Sequence, residues 1–334
     1  MERIGFIDQL KALSIFLIVY GHNDYMSEFS MYLSSFRLPL FFILSGYVRK
    51  DKSTLVFYAF IKKLGKRLLL PYFLFSIFLY VLWFFVGRHF GVGEELSPLK
   101  NFIGVLYSQG GPQYMDWGIP LWFLTALFCV LFIDFFVARL PRKFQFFAIL
   151  IIAISGYLYY VAVDVHLPWS FDVAMVVYPF YFFGGWIQEK HIVSLLPNKY
   201  IWIIVPILFL FHLFLFRFNS TVSFYYGEYG ILPLMYLNAF LGFLWVFLLF
   251  SKLPSFGYFT WLGRNTLPIL ALHLTAMSFI KAVFLFGFDT EISGGVVAGL
   301  FYSALQILIL VPVIHILNNY FPVLVGISKP AVSD

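Results

Sequence analysis

Charge is scarce in this sequence: Asp, Glu, Lys and Arg together make up 11% of its 334 residues. A soluble domain carries roughly 25%. With 62% hydrophobic residues and a mean hydropathy of +0.89, the chain cannot hide its apolar surface in one aqueous core. A soluble enzyme is excluded, and no room remains for a sizeable soluble domain. Cysteine is almost missing. Cys129 stands alone in an apolar run, which excludes an intramolecular disulfide and reads as small hydrophobic filler. No His, Cys and carboxylate set has metal-ligand spacing, so no metal is expected. No Gly-x-Ser-x-Gly elbow occurs, which leaves a serine-hydrolase mechanism without a motif. No internal repeat stands out, unlike transporters built from duplicated halves.

What is present is a series of long, continuous apolar runs, near 6–26, 31–49, 68–88, 118–137, 145–163, 172–189, 201–218, 229–250, 264–286 and 295–318. A β-barrel needs short alternating segments, so these runs predict helices. At about 20 residues per span, the sequence holds roughly ten. The expectation is a single all-α polytopic membrane domain over residues 1–334. Asp8 and Lys11 interrupt the place of a signal-peptide core, so the first span is expected to persist.

The basic residues orient the chain. Arg3, Arg49, Lys50, Lys52, Lys62, Lys63, Lys66, Arg67, Arg139, Arg142, Lys143, Lys190, Lys199, Lys252, Arg264 and Lys329 fall in alternate connections. The opposite connections hold only Arg88, Lys100 and Arg217. This bias predicts that both termini are cytoplasmic, and it reads the net charge of +6 as membrane anchoring rather than nucleic-acid binding. The longest outer connection, 89–117, carries Gly-Gly-Pro at 110–112 with Tyr107, Tyr114 and Trp117; a flap over a site and an interfacial aromatic loop both fit it.

Ionisable groups inside spans are the informative ones, because each is costly without a cavity or partner. The first span has Asp8, Lys11 and His22. Eleven helical steps return Lys11 and His22 to within roughly 20° of one face, about 16 Å apart along the axis. Asp8 lies one turn before Lys11 and can pair with it. His22 fits either a proton acceptor for a hydroxyl or a hydrogen bond to a neighbouring helix. Arg37 opens the second span at about the same depth. It suits either snorkelling or stabilising developing negative charge. Ser45-Gly46 reads as a close helix contact. Lys62, Lys63, Lys66 and Arg67 suit cytoplasmic anchoring or phosphate recognition. Trp122 lies near the outer face, and His273 sits deep in the ninth run behind Pro268. His212 and His315 have no comparable company and read as structural; His89, His166 and His191 fall in loops.

Four motifs in order now resemble a known family. They are Ile7-Asp8-Gln9-Leu10-Lys11 with Gly21-His22; Phe36-Arg37-Leu38-Pro39-Leu40-Phe41-Phe42-Ile43-Leu44-Ser45-Gly46-Tyr47; Leu121-Trp122-Phe123-Leu124; and Leu262-Gly263-Arg264-Asn265-Thr266-Leu267 running to His273. Tyr178-Pro179-Phe180-Tyr181-Phe182-Phe183-Gly184 agrees more weakly. Together they resemble the acyltransferase 3 membrane family, in particular its branch similar to fucose 4-O-acetylase. The resemblance implies an inner-membrane O-acyltransferase. Its donor would be cytoplasmic acyl-CoA, with acetyl-CoA first in line, and its acceptor a sugar hydroxyl of an extracytoplasmic or lipid-linked glycan. It implies His22 as the essential histidine, Lys11 as its basic partner and Arg37 as a site residue. Lys11 stands where the family more often has arginine, and Arg37 where this branch often has histidine. With no fused extracytoplasmic domain in view, the chain would finish the transfer or hand the acyl group to a partner. The competing classes are a glycan or lipid transporter, which would leave acyl-CoA unconsumed, and the other polytopic type of membrane O-acyltransferase, for which only His273 would serve.

Overall fold

A computed structural model of the chain describes residues 5–24, 27–49, 56–90, 95–108, 114–115, 117–163, 165–192, 197–290 and 294–326. Arg3, Lys50, Lys52, Lys329 and the Gly-Gly-Pro at 110–112 lie outside the described residues. Among the described residues there is no sheet, only an isolated bridge between Ser223 and Glu228. The helices are α1 Gly5–Asn23, α2 Glu28–Ser34, α3 Arg37–Tyr47, α4 Phe57–Leu64, α5 Leu70–Phe85, α6 Pro98–Tyr107, α7 Trp122–Val137 and α8 Arg142–Val163. They continue with α9 Phe171–Glu189, α10 Asn198–Leu215, α11 Leu232–Phe250, α12 Gly257–Arg264, α13 Thr266–Phe288 and α14 Val296–Tyr320. Nine helical stretches among the described residues are long and apolar enough to cross a bilayer. The protein is an all-α multi-pass membrane protein, since a helix satisfies its backbone without help from lipid.

α1 is not among the nine. Its 19 residues reach about 28 Å, close to a bilayer core of about 30 Å. Asp8, Gln9, Lys11, Ser14 and His22 lower its apolarity, and most of its residues are buried by protein. The expected ten spans are reached only by counting this polar inner helix.

Three other expectations are corrected. The second run is two helices, because Phe36 leaves helical geometry at φ −141° and α3 starts afresh at Arg37. The third run begins at Phe57, eleven residues earlier than its hydropathy indicates. There α4 passes into α5 through a π-helical turn, Gly65–Leu69, in which Leu70 N–H reaches Gly65 O. Pro71 has no N–H to return to Arg67, so the ladder widens at that point. Within the outer connection, Pro98–Tyr107 is a helix; Ser97 caps it, accepting from Lys100 N–H at 3.4 Å.

The chain divides into two compact units. The first comprises residues 1–50, 179–266 and 277–308. Its core holds Leu10, Ile15, Tyr20, Phe36, Leu40, Phe42, Phe180, Phe243 and Phe247, all fully buried. Three glycines let backbones touch in it. A Cβ at Gly46 would strike the carbonyl of Tyr181, one at Gly184 the carbonyl of Ile43, and one at Gly263 the carbonyl of Asp8. The close contact expected at Ser45-Gly46 is therefore made, against the Tyr181–Gly184 stretch of α9.

The second unit comprises residues 51–178, 267–276 and 309–334. Polar side chains tie its helices together through backbone carbonyls. Tyr72 Oη donates to Val105 O at 2.7 Å, and Tyr107 Oη to His166 O at 2.7 Å. His166 Nδ1 meets the buried carboxylate of Asp172 at 2.7 Å, and Tyr178 Oη donates to Asp134 at 3.4 Å.

Candidate active site

In the first unit, α1 runs unbroken from Gly5 to Asn23, so Lys11 and His22 share a face as their spacing requires. The Lys11 end is an ion cluster. Asp8 Oδ1 accepts from Lys11 Nζ at 3.4 Å, and Asp8 Oδ2 accepts from Arg264 Nε at 3.0 Å. Arg264 reaches it because Gly263 lets α12 lie on the α1 backbone beside Asp8. Gln9 Nε2 donates to Pro254 O at 3.2 Å and holds the same junction. The first and fourth sequence motifs thus meet in one place.

The His22 end is built differently. His22 itself is exposed on the last turn of α1. The residue before it, Gly21, has the guanidinium of Arg37 against its Cα. Arg37 gets there because the break at Phe36 starts α3 with this side chain directed back at α1. Its Nη1 also lies 3.5 Å from Ser30 Oγ on α2. Two polar residues follow His22. Asn23 Nδ2 donates to Ser303 Oγ at 3.0 Å, and Gln306 Nε2 donates to Asn23 Oδ1 at 2.7 Å. Gln306 Oε1 is buried and has no hydrogen-bond partner in the protein among the described residues. Asp24 accepts from Tyr20 Oη, from Ser27 N–H and from Ser27 Oγ, which fixes the turn from α1 into α2. Gly299 of α14 packs on Tyr20 and Asp24, where a Cβ would come within 3.0 Å. Sequence reasoning missed Tyr20, Asn23, Asp24, Ser303 and Gln306. The helical spacing of Gly299, Ser303 and Gln306 was the available signal, one polar or small residue per turn inside an apolar run.

His212 also gains company that its sequence context hides. It is fully buried, with Nδ1 3.0 Å from Tyr32 Oη and Nε2 3.0 Å from Ser35 Oγ. Trp245 Nε1 donates to Nδ1 at 3.3 Å. An indole only donates, so Nδ1 accepts and Nε2 carries the proton toward Ser35. Ser35 Oγ in turn donates to Tyr32 O at 2.7 Å. The structural reading of His212 stands, with three named partners.

The remaining sequence candidates belong to the second unit. Lys62 and Lys63 end α4, and Lys66 and Arg67 fall in the π turn; all four are exposed. Phe60, Leu64 and Leu68 bury the opposite side, so one helical face carries four positive charges. Trp122 is buried at the start of α7. His273 is fully buried in α13, its Nδ1 3.0 Å from both Ile269 O and Leu270 O. Among the described residues no group of three or more His, Cys, Asp or Glu side chains is placed to hold a metal ion.

In the first unit, then, one end of a polar helix carries an exposed histidine next in sequence to the glycine that a guanidinium packs against, and an ion cluster sits at the other end. That set can accept a proton and stabilise an oxyanion, the two needs of acyl transfer. Comparison with curated proteins and with solved structures returned no match. The sequence profile of the acyltransferase 3 family, an acyltransferase domain, matches residues 4–323. That match takes in nearly the whole chain, and the protein belongs to this family of membrane acyltransferases.

Proposed function

We propose that the protein transfers an acetyl or other short acyl group from cytoplasmic acyl-CoA to a hydroxyl of an extracytoplasmic or lipid-linked sugar, in the inner membrane. The observation that carries this reading is the contact of Arg37 with Gly21, the residue before His22, which brings a positive charge to the His22 end of α1. Both termini are cytoplasmic in this reading, as the basic residues indicate. Lys62, Lys63, Lys66 and Arg67 supply positive charge suited to the donor's phosphates.

In the reaction, the acceptor hydroxyl oxygen attacks the thioester carbonyl while His22 takes its proton. Arg37 stabilises the oxyanion of the tetrahedral intermediate. The C–S bond then breaks, and the CoA thiolate leaves and receives the proton from His22. One ester forms, one thioester is consumed and free CoA is released. Trp122 and His273 serve the acceptor side. A branch similar to fucose 4-O-acetylase fits the motif set.

The test is consumption of radiolabelled acetyl-CoA by purified protein in nanodiscs with a glycan acceptor extract, comparing wild type with His22→Ala. Turnover that disappears in the variant while folding persists supports the assignment. Full turnover in the variant removes His22 from the mechanism. Movement of glycan across vesicles without acyl-CoA consumption replaces the reading with a transporter.

A further inference from the structure

A cavity of about 320 Å³ opens in the first unit between α2, the end of α10 and the start of α11. Glu28, Met31, Phe216, Arg217, Ser220 and Thr221 are among its lining residues. Glu28 is the first residue of one bilayer-spanning stretch, Glu28–Tyr47, and Arg217 the last but one of another, Asn198–Phe218. A charge at the end of a span stands at headgroup depth, where lipid phosphates lie, rather than in hydrocarbon. Both residues are exposed, as are Ser220 and Thr221. Opposite charges on one cavity would ordinarily pair. These two do not: among the described residues neither side chain makes an ion pair or a hydrogen bond, and the Ser220 and Thr221 hydroxyls make no bond either.

The wall that carries these groups is held in place. Phe216 packs edge-on against the buried ring of Tyr32, with centroids 5.1 Å apart. Asn219 Oδ1 accepts from Ile231 N–H at 2.7 Å, and its Nδ2 donates to Tyr229 O at 3.3 Å. The two ends of the 219–231 connection are thereby tied together beside Ser220 and Thr221, so little ordering remains to be done on binding.

We infer that this cavity binds the headgroup of a zwitterionic phospholipid with a primary ammonium, of the phosphoethanolamine type. Its phosphate diester accepts from the Arg217 guanidinium and from the Ser220 and Thr221 hydroxyls. Its ammonium, two carbons away, donates to the Glu28 carboxylate. One ligand neutralises both charges, whereas a headgroup of a single sign would cover one of them unpaired. The volume, at the small end of ligand pockets, suits a headgroup rather than the chains. For the chains the same elements expose Phe29 on α2 and Phe214 and Phe218 on either side of Phe216. A soluble zwitterion has the same charges but no use for that apolar surface, so the source is membrane lipid. The inference goes beyond the acyl-transfer reading and does not depend on it: the lipid is a bound partner, and nothing on it reacts.

The test uses the full chain, stripped of lipid in an uncharged detergent, with bound lipid counted by native mass spectrometry and melting temperature followed in parallel. Short-chain phosphatidylethanolamine is expected to bind about tenfold or more tightly than its N-acetyl derivative, which keeps the phosphate and loses the ammonium. The same margin is expected over phosphatidylglycerol. Glu28→Gln should abolish the preference by weakening phosphatidylethanolamine alone, and Arg217→Gln should weaken all three lipids about tenfold. If either variant folds poorly, the ranking of the three lipids on wild type decides. Glycerophosphoethanolamine, the headgroup without chains, is the soluble arm and is expected to bind far more weakly. Equal binding of the three lipids, no binding of any, or a preference unchanged in both variants overturns the inference. Binding of the soluble headgroup as tight as that of the lipid overturns it too, in favour of a free zwitterion.

Discussion

The guanidinium of Arg37 occupies the space that a side chain at residue 21 would need. The two residues are sixteen apart in sequence, on different helices, and the break at Phe36 brings them together. In the proposed site Gly21 is thus needed alongside the histidine that follows it.

Gly21→Ala is expected to displace Arg37. Overpacking of this kind costs about 1–3 kcal/mol, so the variant should insert and fold with a lowered melting temperature. Acyl-CoA turnover should fall about tenfold or more, through kcat rather than KM, because the lost interaction is with the transition state. Arg37→Lys should not restore activity, since an ammonium lacks the paired donors. Turnover assays with a thermal scan on each variant check this, and unchanged kcat in Gly21→Ala would count against the role of Arg37.

A double-mutant cycle on Asp8→Asn and Arg264→Gln should show coupling. The side chain of Arg264 is 45% exposed, so solvent screens the pair and the coupling should be about 0.5 to 1 kcal/mol. Unfolding in detergent at low and high salt reads it, and the coupling should shrink at high salt.

Removing the hydrogen-bond hub of the first unit should be more severe. His212→Leu leaves Tyr32 Oη and Trp245 Nε1 without their shared acceptor. Each buried group so orphaned costs about 1–3 kcal/mol. The expected outcome is a large drop in melting temperature, partly recovered in His212→Gln, whose amide oxygen still accepts. Equal stability of wild type and His212→Leu would mean the network is not held in the folded protein.

Reversing charge in the π turn that follows α4, with Lys66→Glu and Arg67→Glu, should raise the KM for acetyl-CoA about tenfold at low salt and leave kcat in place. The effect should fade as salt rises. A thioester without the nucleotide portion should be used equally well by wild type and variant. If its KM rises as well, the basic face is only a membrane anchor.

Much of this was legible in the sequence, and the gaps have physical causes. Long apolar runs identify spanning helices because lipid leaves the backbone no other choice. The Asp8–Lys11 pair and the shared face of Lys11 and His22 follow from helical spacing alone. The break at Phe36 was not legible, because its neighbours are as apolar as any helix interior. The early start of α4 was hidden by Lys62, Lys63, Lys66 and Arg67, which lower hydropathy without lowering helix propensity. His212 looked solitary because its partners Tyr32, Ser35 and Trp245 come from two other elements. Gly263 and Arg264 stood out as a motif, yet only the structure shows that the glycine exists to let the arginine reach Asp8.

Where Gly46 meets Tyr181, Gly184 meets Ile43 and Gly263 meets Asp8, main chain rests directly on main chain. No side chain intervenes to change rotamer and let one helix slide past the next. Around α1, α3, α12 and the end of α9 the first unit is therefore a stiff frame with no hinge. A catalytic cycle that must admit and release two substrates has to find its movement elsewhere in this unit. The connection 219–231 is tied down as well: Val222 N–H reaches Ser34 Oγ of α2 at 3.4 Å, and Val222, Phe224 and Tyr229 are buried, so only its turns at Gly227 and Gly230, both at positive φ, depart from this packing.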